Sequence, residues 1–85
     1  MKKQDLKEGT IFRRRSNQNR IYTIIGSPAG HLVYETATDA SVYFQGYIKP
    51  TGSNKGFTLI QLILGKPVGA FFLFKDFEVI TTNNQ

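Results

Sequence analysis

The chain has 85 residues, a formal net charge of +5, 40% hydrophobic and 20% charged residues, no cysteine and one histidine. That length holds one small domain with one modest core. The composition excludes a disulfide scaffold, a thiolate or multi-histidine metal site and a cysteine nucleophile.

Apolar residues recur with a period of two along most of the chain, which predicts strands. Residues 5–9 suit a single helical turn stopped at Gly9. Residues 10–15 read as a first strand and residues 16–19, Ser-Asn-Gln-Asn, as a turn. Residues 20–25 are the returning strand, rich in β-branched types. Glycine and proline break the pattern at 26–30, and residues 31–36 form a third strand. After a turn at 37–40 comes a fourth strand at 41–48, where Gly46 marks a bulge or a sharp bend. Residues 50–56 are the longest polar loop.

Residues 57–64 are apolar on both faces, so period alone does not separate strand from helix. Their length, flanking glycines and β-branched content favour a buried strand. Residues 65–69 read as a turn. Residues 70–74 and 77–81 are the last strands, kinked or joined around Lys75 and Asp76. The polar residues 82–85 form a frayed tail. These elements predict one all-β domain over residues 1–85. It is mainly antiparallel, a small bent sheet or partly closed barrel of five to seven short strands with little helix. In that order of strands, and in residues 6–12 as the entry to a first barrel strand, the chain resembles SH3-like barrels in architecture alone.

Chemistry is sparse. Gly65 and Lys66 are followed by Pro67, so no phosphate loop forms. No metal-binding spacing and no cofactor fingerprint is present. The six carboxylates show no pairing, His31 opens a strand directly after a turn, and the serines lie in or beside turns. These features predict a non-enzymatic protein without cofactor or metal. No apolar run approaches the length of a membrane helix, and the first twenty residues have no apolar leader. The expectation is a cytoplasmic protein with no membrane partner.

The charge is localised. Residues 1–20 carry seven basic side chains against two acidic ones, and residues 21–85 carry four of each. Arg13, Arg14, Arg15 and Arg20 flank the first predicted turn, with Asn17 and Asn19 at its tip. Arginine pairs bidentately with phosphate, so this hairpin is the first candidate for a nucleic-acid contact. By alternation Arg14 shares the face of Phe12, where it must reach an edge or find a partner. Tyr43 and Tyr47 share an outward face and suit stacking on bases. Adjacent Phe71 and Phe72 point to opposite faces, so a buried pair needs two covered sides. The leading expectation is a small basic domain binding DNA or RNA through this hairpin. The alternative is a protein-interaction module, an adaptor or inhibitor of the kind found among phage and mobile-element accessory proteins. It would dock on an acidic protein surface through the hairpin and exposed aromatics. A homodimer through an edge strand fits both.

Overall fold

A computed structural model describes residues 1–27, 31–37, 43–49 and 54–82. Seven strands form one antiparallel sheet: β1 (Thr10–Arg14), β2 (Asn17–Gly26), β3 (Leu32–Ala37), β4 (Tyr43–Lys49), β5 (Gly56–Ile63), β6 (Lys66–Leu73) and β7 (Phe77–Thr82). Their order is β6-β5-β4-β3-β2-β1-β7. The first six strands follow one another as a meander, and β7 returns to pair with β1. The expected all-β, bent, partly closed sheet is what the chain adopts. Residues 57–64 resolve as strand, with β5 spanning Gly56–Ile63. What the sequence predicts for residues 28–30, 38–42, 50–53 and 83–85 lies outside the described residues. No helix among the described residues is long and apolar enough to cross a membrane.

The curl has a covalent cause. β6 and β7 are opposite edges of the sheet, yet only the 3-10 turn Phe74–Asp76 separates them. A 3-10 helix rises about 2 Å per residue, so the two edges must meet at that end. They meet through side chains. The Phe72 and Phe77 rings pack edge to face at 5.7 Å. Phe77 also packs on Phe57 at 5.3 Å and on Phe12 at 5.5 Å. Phe12 stacks on Tyr22 at 5.1 Å. These rings, with Ile24, Tyr34, Ile48 and Leu59, are buried on the concave side. Truncating a ring such as Phe12 to alanine would cost about 3–5 kcal/mol, a large share of the stability of so small a domain.

Three turns differ from expectation. The β1–β2 connection is Arg15–Ser16, because β2 begins at Asn17. Arg13 faces Ile21 while Arg14 faces Asn17, so residues 18–20 form a bulge with no opposite number on β1. The β5–β6 connection is Leu64–Gly65 rather than residues 65–69. Both residues have positive φ, 52° and 78°, as a tight two-residue hairpin requires. Leucine in that conformation costs about 1–2 kcal/mol. Pro67 is tolerated because β6 is an edge strand. The N-terminal turn is Lys3–Asp5, two residues earlier than expected, and Gly9 (φ 91°) redirects the chain into β1.

Gly46 is neither bulged nor bent. Its register to Tyr34 on β3 and Gln61 on β5 is unbroken. Glycine is needed there because the Tyr34 ring crosses the β4 backbone, and its hydroxyl donates to the Ile60 carbonyl at 3.3 Å. A Cβ on Gly46 would stand 2.8 Å from the Tyr34 ring and would run into the Ile60 carbonyl. At Gly69 a Cβ meets only Ile60 and Thr58 side-chain carbons at 3.4 Å. Gly46→Ala should therefore lose about 2–3 kcal/mol in a urea melt, whereas Gly69→Ala should change stability by less than about 0.5 kcal/mol. Equal effects at the two positions would contradict this packing.

Candidate nucleic-acid interface

Alternation sorts the arginines of the β1–β2 tip by parity. Arg13 and Arg15 lie on the convex side. Arg13 donates from Nε to Glu78 Oε1 at 2.8 Å, and Arg15 Nη1 lies 3.5 Å from Glu78 Oε2. Arg15 Nε also donates to the Lys75 carbonyl at 3.0 Å. One carboxylate thus holds two guanidinium groups, and the pairing of Arg13 with Glu78 on β7 sets their positions. The Glu78 carboxyl is held below its usual range, first by the hydrogen bond from Arg13 and then by the charges of Arg13 and Arg15, against a smaller opposing effect of burial.

Arg14 and Arg20 turn to the concave side. There they line one cavity of about 170 Å³ with Tyr22, Tyr34, Leu59, Gln61, Val68, Ala70 and Phe72. β1, β2 and β3 wall it on one side and β5 and β6 on the other. The Arg14 guanidinium lies 4.7 Å from the centre of the Phe72 ring, bridging the two walls. Its Nε is buried and has no hydrogen-bond acceptor among the described residues. Arg20 lies 5.5 Å over the Tyr22 ring and donates from Nε to Thr36 Oγ1 at 3.2 Å. Two cations therefore share a concavity whose lining contains no carboxylate. A cation–π contact supplies about 0.5–2 kcal/mol, while an unmet buried donor costs about 1–3 kcal/mol. Ring contact alone does not satisfy Arg14, and an incoming anion supplies the missing acceptor in its strongest form.

The two tyrosines stay neutral. Burial raises the Tyr34 hydroxyl to about 12, assisted by Tyr22 and opposed by Arg20. Burial also raises Tyr22, against the charges of Arg20 and Arg14. Both therefore keep their O–H protons through the physiological range.

The remaining expected residues lie around this tip or away from it. Asn17 and Asn19 are exposed at the start of β2. The Tyr43 backbone is in register with Ala37, Ile21 and Arg13, one row across four strands. Tyr47 lies nearer the other end of β4 on the convex side, its ring 5.7 Å from His31. At about 4.8 Å per strand, either tyrosine backbone is on the order of 14 Å from β1. The aromatic partners of Arg14 and Arg20 are instead Phe72 and Tyr22, which the sequence reading did not single out as site residues. Alternation held part of the signal, since Tyr22 stands two residues after Arg20. A second concavity, of about 480 Å³, is framed by Asn54, Lys55, Leu73, Phe74 and Lys75. Its lysines are exposed, and it offers no buried donor.

Because the Glu78 carboxyl titrates lower in the folded than in the unfolded chain, its pairing stabilises the fold at neutral pH. That stabilisation is lost as the pH falls below the ordinary carboxylate range. Glu78→Gln should narrow the stability difference between neutral and acid pH in urea melts, with most of the change on the neutral side. A variant that keeps the full difference would mean that other carboxylates carry it.

No known protein family matches this chain, and no curated protein or solved structure is similar to it.

Proposed function

We propose that this protein is a small non-enzymatic domain that binds single-stranded nucleic acid on the concave side of its half-barrel. The observation carrying this reading is the pair Arg14 and Arg20 in a cavity without a carboxylate, one of them with a buried, unmet donor. Phosphate offers the acceptor that Arg14 lacks, and guanidinium groups grip it bidentately. Phe72 and Tyr22 supply aromatic surface beside the cations, the pairing that single-strand binders use for bases.

Size favours one strand over a duplex. At about 170 Å³ the cavity is smaller than the roughly 300 Å³ at which pockets begin to hold whole cofactors. It has room for one phosphate or one base, with the rest of the strand outside against Asn17, Asn19 and the tip. A β-ribbon seated in a duplex groove would instead present one face of the hairpin. Here the arginines are divided between two faces, and Glu78 already engages the outer pair. The alternative reading, a protein-interaction module, draws its support from Phe71, which is half exposed on the convex side.

Fluorescence anisotropy with labelled single-stranded and duplex oligonucleotides separates these readings. We expect single strands to bind better, with affinity falling steeply with salt. Arg14→Gln/Arg20→Gln should weaken binding and lower the salt slope by about 1.4, the value for two lost contacts to a single strand. Arg13→Gln/Arg15→Gln should change the slope far less. Equal loss in both double variants would place the contact on the convex side. No binding at low salt by the folded wild type would overturn the proposal.

A further inference from the structure

The β5–β6 hairpin stands apart from the rest of the molecule in both exposure and charge. Every residue from 62 to 71 is exposed. Leu64 is 96% exposed, and Leu62, Ile63, Val68 and Phe71 each leave about half of their surface in water. In the whole hairpin, residues 56–73, Lys66 is the only charged side chain. At its tip Leu64 occupies a left-handed conformation that asparagine or glycine adopts more readily. The chain itself gives Leu64 no burial to offset that conformation. β6 is also an open edge of the sheet, with only Gly69 and Ala70 at its centre.

We infer that this hairpin is a self-association surface, where the β6 edges of two copies pair antiparallel about a two-fold axis. Three features select a second copy. The first is charge. The chain carries +5, and copies meeting at the arginine tip would bring like charges together, whereas the β6 edge brings together a single lysine from each. The second is area. The five exposed side chains offer on the order of 500 Å² per copy, so a pair buries about 1,000 Å², where specific interfaces begin. The third is fit. A symmetric contact needs one surface complementary to itself, and an open strand with small residues at its centre satisfies this automatically. Pro67 has no N–H to offer, so the shared hydrogen bonds centre on residues 69–71. This inference does not rest on the nucleic-acid reading, because Arg14 and Arg20 lie outside the contact.

Sedimentation equilibrium from micromolar to several hundred micromolar, at low and high salt, tests it. Wild-type protein should rise from the mass of one chain to a plateau at two, and should do so as readily in high salt. Leu62→Lys/Leu64→Asn should stay at the mass of one chain. Its melting temperature should be unchanged or higher, since asparagine suits the turn, and its oligonucleotide affinity per chain should be retained at low protein concentration. A wild type that remains a single chain throughout would overturn the inference, as would a variant that still pairs. Mass that climbs without a plateau would replace it with open-ended edge aggregation. A monomeric wild type that co-sediments with phosphatidylcholine–phosphatidylserine vesicles, where the variant does not, would assign the hairpin to a lipid surface.

Discussion

The short link between β6 and β7 governs the rest of this structure. Three residues, Phe74–Asp76, carry the chain from one edge of a seven-stranded sheet to the other. A flat sheet of seven strands would separate those edges by about 29 Å, at 4.8 Å per step. The sheet must curl until they touch, and curling creates an inside. Phe12, Phe57, Phe72 and Phe77 fill that inside near the link, where the walls converge. Farther along β5 and β6 the walls diverge and the side chains become exposed. The cavity lies between these two regimes, and the exposed hairpin lies beyond it.

Once the sheet has an inside, strand parity decides what each arginine does. Three consecutive arginines cannot share a face, so the middle one goes in when its neighbours go out. Arg13 and Arg15 find Glu78 on the adjacent strand. Arg14 enters a space whose opposite wall is aromatic, and it meets a ring rather than a carboxylate. The bulge at residues 18–20 then places Arg20 on the same side, where Tyr22 and Thr36 hold it. The outer pair therefore contributes to stability with its charge largely engaged. The inner pair keeps its charge available, at some cost in unmet hydrogen bonding.

Local pattern was enough to read the strands, because alternation is a property of neighbours. It gave the all-β class, the placement of Arg14 with Phe12 and the opposed faces of Phe71 and Phe72. Features set by distant partners were not legible. Glu78 lies 65 residues from Arg13, and nothing local marks it as more than a rim carboxylate. The glycine requirement at position 46 comes from a tyrosine ring on the neighbouring strand. The first turn was misplaced because Ser-Asn-Gln-Asn has turn chemistry, while the bulge lets those residues continue β2. The second was misplaced because leucine is a poor turn residue, so Leu64 was assigned to the strand before it. That same local conflict is what marks the hairpin tip as a place where something other than folding sets the sequence.

The two surfaces also constrain each other. Antiparallel pairing of two β6 strands places the two-fold axis perpendicular to the sheet, so both concave faces would look to the same side. Val68, Ala70 and Phe72 belong to the cavity wall and also to the strand that would pair. Two cavities would then sit on either side of one seam, with the four inward arginines all facing one way. A single strand long enough to cross the seam would meet both, and the second contact would form at the high effective concentration set by the first. A cavity too small for more than one phosphate or base gains affinity in this way without any change in its own geometry. The uncharged edge would then serve the charged site by repeating it.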